Sequence, residues 1–96
     1  MHTADSYRVP PGVVAEELDG ETILLSMDSG IYYGLDAIGT TIWRGLKQGG
    51  PLAAVLHELR VAFPTVPSAQ IEFDAQRLLA ELVEQGLLQL EAGAAP

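Results

Sequence analysis

The chain has 96 residues, 48% of them apolar, no cysteine, and 13 acidic side chains against five basic ones, for a formal net charge of −8. That suffices for one small domain with a single modest core, expected to span 1–96 with its ordered part over about residues 9–90. The missing thiols exclude disulfides, iron–sulfur clusters, thiolate zinc sites and cysteine nucleophiles, and an acidic field with no basic run disfavours nucleic acid. No apolar run approaches the roughly 18 residues that cross a bilayer. The N-terminus lacks the basic start and apolar stretch of a signal peptide, so a cytoplasmic protein without membrane contact is expected.

Val13–Leu18 reads as a first strand. Asp19-Gly20 is the two-residue signal of a tight hairpin, whose type I′ turn needs positive φ at both central positions. Residues 21–27 return as a second strand, and Asp28-Ser29-Gly30 fits a three-residue hairpin with Gly30 in the left-handed position. Residues 31–35 form the third strand. Pairing Met27 with Ile31, Leu25 with Tyr33 and Ile23 with Leu35 puts all these side chains on one face and Tyr32 on the other. The first strand fits this less cleanly, because the Asp19-Gly20 turn sets Glu16 near Ile23; a bulge or frayed edge is expected there.

After Leu35 the apolar period changes from two to about 3.6. Asp36 is placed to cap a first helix, and Leu35, Ile38, Gly39, Ile42 and Leu46 form its inner stripe with Trp43 beside it. Gly39 costs about 1 kcal/mol of helix stability against alanine, which points to close approach of another backbone. Gly49-Gly50-Pro51 ends that helix and opens the next, with Pro51 at the first helical position and Leu52, Val55, Leu56, Leu59 and Phe63 facing the core. Pro64 and Pro67 enclose a short loop. Ser68 then caps a third helix, which buries Ile71, Ala75, Leu78, Leu79 and Leu82 and ends near Gly86. Residues 87–90 read as a short extended tail and 91–96 as frayed. The fold class is α+β, a three-stranded antiparallel sheet followed by three helices, with no internal repeat.

The third helix carries a second stripe, Phe73, Gln76, Arg77, Ala80, Val83 and Glu84, which mixes an aromatic, small apolar groups and polar tips. By spacing alone it either widens the core contact or forms one wall of a groove. The other wall of that groove is the strand Ile31, Tyr32, Tyr33, Gly34 and Leu35. As the last strand of the sheet it offers an open edge, which accepts an extended peptide as an added strand, with pockets for side chains supplying specificity. One of the two tyrosines is then core and the other lies near the groove. Arg77 is spaced to pair with Glu81, or to reach an acidic residue of a peptide.

Catalysis finds no residues to carry it. His2 and His57 show no paired metal-ligand spacing, His57 falls on the exposed face of the second helix, and neither a nucleophile motif nor a phosphate-binding glycine loop occurs. Asp74 is expected to make a structural hydrogen bond to a neighbouring loop. No catalytic residue, metal or cofactor is therefore assigned. A DNA-binding winged helix is the architectural rival, since fold alone does not decide function. The second and third helices nevertheless offer only Arg60, Gln70, Gln76 and Arg77 amid several acids.

Asp28-Ser29-Gly30, then Tyr32-Tyr33-Gly34-Leu35-Asp36, Gly39 and Ile42-Trp43, resembles the "G-x-Y-Y-x-L-N-x-x-G-x-x-I-W" stretch of PqqD-like proteins. Residues 52–59 look like the helix after that family's glycine turn. Phe73-Asp74 with Leu78-Leu79, Leu82 and Gly86-Leu87-Leu88 resembles its "D-V-x-x-L-L-x-x-L-x-x-x-G-L-L" ending. The resemblance runs from roughly Val9 to Leu90 and implies a RiPP recognition element with a winged helix-turn-helix-like fold. Such a domain is not an enzyme. It binds the leader segment of a ribosomally made precursor peptide as an extra strand between its third strand and third helix, and presents it to a maturation enzyme.

Asp36 stands where the family usually has Asn, and the "P-E-G" and "C-D-G" features of PqqD proper are missing. The "S-G-x-Y-Y-G-L" pattern looks more like the free-standing leader-binding protein of lasso-peptide pathways, which implies a leader peptidase and the macrolactam-forming cyclase as further partners. The alternatives are a PqqD-type peptide chaperone of quinone-cofactor biosynthesis and a winged-helix DNA-binding regulator. By resemblance, the leader would be held by the main chain of residues 31–35, with Tyr32 or Tyr33 and the Phe73, Ala80 and Val83 face receiving its apolar anchors.

Overall fold

A computed structural model of the chain describes residues 6–49 and 51–91. The elements in order are β1 (Ser6–Arg8), β2 (Val13–Leu18), β3 (Glu21–Ser26), β4 (Tyr32–Leu35), α1 (Ala37–Lys47), α2 (Leu52–Ala62), α3 (Ser68–Glu84) and β5 (Gln89–Glu91). β2, β3 and β4 form one antiparallel sheet in that order, so the expected three strands and three helices are present and β4 lies at an edge. β1 and β5 pair with each other in a separate ribbon, which the sequence reading did not anticipate. Each partner is only three residues long, too short for a periodic signal. Within this ribbon Tyr7 is buried, the Arg8 guanidinium donates to the Gln89 side chain, and Glu91 pairs with Ser6 rather than fraying. Residues 92–96 lie outside the described residues.

The β2–β3 turn forms as its dipeptide dictates, with φ of 54° at Asp19 and 80° at Gly20. Pairing then runs unbroken from Leu18–Glu21 to Val13–Ser26, so the expected bulge is absent. No conflict needed relieving there, because Glu16 and Ile23 are paired and both face solvent.

The register of β3 on β4 differs from the expected one by a single residue. Leu24 pairs with Tyr33 and Thr22 with Leu35, and the connecting turn spans four residues, closed by Ser26 N–H donating to the Ile31 carbonyl at 2.9 Å. A one-residue slip turns over every side chain. Thr22, Leu24 and Ser26 therefore face inward, while Ile23 and Met27, expected inside, are exposed. The inward polar groups explain why this register is stable. The Thr22 and Thr40 hydroxyls share a buried hydrogen bond of 2.9 Å between sheet and α1, and Ser26 Oγ accepts from Ser29 N–H in the turn.

Asp36 caps α1 as expected, Oδ1 accepting from the Gly39 N–H at 2.8 Å. The group nearest a Cβ at Gly39 is the Leu35 side chain at 3.2 Å, not another backbone. Close helix approach occurs instead at Gly45, where a Cβ would stand 2.8 Å from Val55 Cγ2 of α2. Pro51 precedes α2 as its cap residue with an extended backbone, one position earlier than expected; Gly50 beside it lies outside the described residues. Ser68 is the first residue of α3 and makes no capping bond, that place being taken by Pro67. At the far end of α3, Gly86 (φ 74°) lets Leu87 N–H reach the Leu82 carbonyl at 2.8 Å and Gly86 N–H the Val83 carbonyl at 3.1 Å. This is the Schellman closure, and it drives Leu87 and Leu88 into the core.

The three helices bury most of the expected stripes, with Ile38, Phe63 and Leu78 only half-buried, and Trp43, expected beside the first stripe, is 1% exposed within the core. Its Nε1 is the one buried side-chain nitrogen or oxygen without a hydrogen-bond partner among the described residues.

The Thr22–Thr40 bond gives the first test. Thr40→Val strands the buried Thr22 hydroxyl and is expected to cost about 1–3 kcal/mol in urea denaturation, whereas Thr22→Val with Thr40→Val should cost clearly less than the single change. Equal losses would remove this bond as the link between sheet and helix.

Candidate functional site

β4 has β3 on one side and, among the described residues, no strand on the other. In an antiparallel ladder, alternate residues turn their N–H and C=O to opposite sides. Because the Ile31 carbonyl is bonded to Ser26 and Tyr33 and Leu35 pair inward in step with it, the main-chain groups of Tyr32 and Gly34 point to the open edge. Two residues thus offer two donors and two acceptors in line.

Beside this edge runs a cleft of about 270 Å³. Tyr33, Gly34, Leu35 and Asp36 line it from the strand side; Ile38, Gly39 and Ile42 of α1 form its base; Asp74, Arg77, Leu78 and Glu81 of α3 stand opposite. The base is apolar and the mouth is polar. Each carboxylate in the lining already has a partner: Asp36 caps α1, Asp74 accepts from Gln70 Nε2 at 2.9 Å, and Glu81 accepts from the Tyr33 hydroxyl across the cleft. Asp74 is therefore held within its own helix, one turn from Gln70, rather than by a loop.

Arg77 does not pair with Glu81. The ion pairs among the described residues are Arg44 with Glu17, which ties α1 to β2, and Arg60 with Glu72 between α2 and α3. Arg44 holds the Glu17 carboxyl below the ordinary carboxylate range through this hydrogen bond.

Of the residues expected to form the site, Tyr33, Gly34, Leu35 and Arg77 line the cleft together. Ile31 is half-buried at the turn, and Tyr32, 70% exposed, faces away from α1 on the outer surface of the sheet. Phe73, Gln76, Ala80, Val83 and Glu84 are exposed on α3 outside the lining, the cleft being met instead by residues 74, 77, 78 and 81. Those four positions make a helical face of their own, between the buried stripe and the outer one. Ile38, Ile42 and Leu78, which the helical spacing predicts as core, also line the cleft, and Ile38 and Leu78 are half-buried. A residue at the margin of an apolar stripe is the signal that locates such a base.

The PqqD family, described as coenzyme PQQ synthesis protein D, matches residues 21–88. The chain belongs to the PqqD family. Within the solved structures it is similar to "TbiB1 in Complex with the TbiA(beta) Leader Peptide", with 30% sequence identity and a TM-score of 0.77 over 92% of this chain and 99% of that one. No curated protein matches it. No helix among the described residues is long and apolar enough to cross a membrane.

The contact across the cleft of this PqqD-family chain is open to titration. Hydrogen bonding to Glu81, with partial burial, pushes the Tyr33 hydroxyl up to about 12 from 10.0. The contact stabilises the protonated tyrosine, so its contribution is complete below pH about 10 and is lost as pH rises towards 12. Tyrosinate absorbance should show a transition near pH 12 that Tyr33→Phe removes and Glu81→Gln moves to lower pH. A titration unchanged by Glu81→Gln would mean that the contact is not formed in solution.

Proposed function

We propose that this chain binds the leader segment of a ribosomally synthesised precursor peptide as a strand added antiparallel to β4, and delivers it to the leader peptidase of a lasso-peptide pathway. The observation that carries this reading is the open edge at Tyr32 and Gly34 lying directly beside a cleft with an apolar base. Membership of the PqqD family supports it, as does the likeness to TbiB1, solved with a leader peptide.

A strand laid along β4 makes main-chain bonds to Tyr32 and Gly34 that are indifferent to sequence. Its side chains then alternate, one set turning into the cleft over Ile38, Ile42 and Leu78, the other onto the outer surface beside Tyr32. Ile31 to Leu35 form the strand wall. Arg77 faces the peptide from α3, and Phe73, Gln76, Ala80, Val83 and Glu84 take whatever part of the leader continues past the cleft.

The chain itself catalyses nothing in this scheme. By holding the leader it turns the encounter of peptidase with cleavage site into an event within one assembly, at the high effective concentration of tethering. The macrolactam cyclase joins as a later partner in the cytoplasm, where the precursor is made. DNA binding gains no support from the structure: the described cations are spread over β1 and the three helices, and Arg8, Arg44 and Arg60 are already engaged.

Tyr32→Pro tests the mode of binding. Its N–H points to the open edge, so proline there spares the β3–β4 ladder, as edge positions allow. The far-UV circular dichroism should be unchanged, while affinity for a fluorescent synthetic leader, taken from a precursor peptide encoded beside the gene for this chain and read by anisotropy, falls about tenfold or more. Val83→Glu should weaken the same binding. Salt-sensitive binding of a DNA duplex without any leader binding would overturn the function.

A further inference from the structure

Gly34 has no reason to be glycine within this chain. It sits in the middle of a strand, outside the left-handed region, and a Cβ placed on it would meet nothing within 4 Å. Glycine weakens a strand interior and often marks close approach by something outside. Its neighbours on the outer surface of the sheet show what is missing.

Two cross-strand rows lie there: Val14, Leu25 and Tyr32, and next to it Glu16, Ile23 and Gly34. Leu25, flanked by two side chains, is half-buried. Ile23, with only Gly34 towards the edge, is 54% exposed. The sheet therefore carries a notch at its edge, with the flank of Ile23 as the inner wall and Tyr32 along one side.

On the reading that a leader strand adds antiparallel to β4, the peptide residue opposite Gly34 projects onto this same surface. Strands lie about 4.8 Å apart, so that residue starts about 10 Å from the strand of Ile23. Only a long side chain lying over Gly34 reaches it. An aromatic ring covering a strand glycine from the adjacent strand is an established way to repair the gap.

We propose that Gly34 is a specificity-determining position. Its missing side chain forms a notch that selects a leader with a long apolar side chain, an aromatic above all, at the residue paired with it, and that side chain packs across Gly34 onto Ile23 beside Tyr32. This requirement lies on the surface opposite the cleft, so the leader is read on both faces of the strand it adds. The peptide recognised has one apolar residue turned to the cleft and a second, at odd spacing from it, turned to the notch.

The experiment is an alanine scan of that labelled synthetic leader, titrated by anisotropy against the wild-type protein, Gly34→Val and Ile23→Ala. Gly34→Val should fold with an unchanged or higher melting temperature, since space and backbone both admit it. It should bind the unaltered leader about tenfold more weakly, the worth of one large buried apolar side chain. At a single large apolar leader position, alanine should cost wild-type binding about tenfold and cost Gly34→Val almost nothing more, with Ile23→Ala showing part of the same coupling.

Equal leader affinity of wild type and Gly34→Val, or identical alanine profiles for the two, would overturn the notch while leaving leader binding in place. A wild-type protein that binds no leader would overturn both.

Discussion

The pairing of Leu24 with Tyr33 is the constraint on which the rest of this molecule depends. It sets which residues of β3 share the inner face with Tyr33 and Leu35 and so meet the helices. With Leu24 inside, Thr22 comes to rest against Thr40 and the sheet is joined to α1 by a hydrogen bond in a buried setting. Such a bond contributes modestly when made and is expensive when one partner is left alone. It therefore acts mainly against the alternative register, which would bury Ile23 and Met27 but strand the Thr40 hydroxyl.

The same pairing leaves β4 as a short, unpaired edge. Open edges invite association between copies, and proteins commonly blunt them with charge or cover. Here the protection is acidity spread over the whole surface, with a net charge of −8, which opposes the approach of a second identical chain. Among the described residues no strand pairs with the outer side of β4. The Tyr33–Glu81 contact bridges β4 to α3 at the mouth of the cleft. It occupies two polar groups that would otherwise need water or a ligand, while Arg77, also in the lining, has no ion-pair partner among the described residues.

Architecture and function are separate inferences in this molecule. A three-stranded sheet followed by three helices does not by itself decide between nucleic-acid and peptide binding. What divides the two is electrostatic. A reader of duplex DNA gains most of its affinity from phosphates met by cations on one face, and three of the five cations here are committed to neighbours on different elements. Main-chain recognition at a strand edge needs no net charge, only unpaired N–H and C=O groups with pockets nearby.

By itself the sequence determined the parts whose causes are local. Asp19-Gly20 demands its turn, Asp36 its cap, Gly86 its helix stop, and the helical stripes of 38–46, 52–59 and 71–82 their buried faces, because each depends on a few adjacent residues. The order of the three-stranded sheet before the helices and the exposed edge followed from these, and Tyr33, Gly34, Leu35 and Arg77, grouped by that order, line one cleft. Tertiary structure alone decided the register of β3 on β4, since the apolar pattern favoured Ile23 and Met27 inside and only the distant Thr40 makes Thr22 a stable core residue. It also decided the pairing of β1 with β5 across nearly the whole chain, the close contact of Gly45 with Val55, and the face of α3 that meets the cleft. Each of these is a meeting of residues far apart in the chain, set by packing geometry to within about one residue or a few tenths of an ångström, which periodicity cannot resolve.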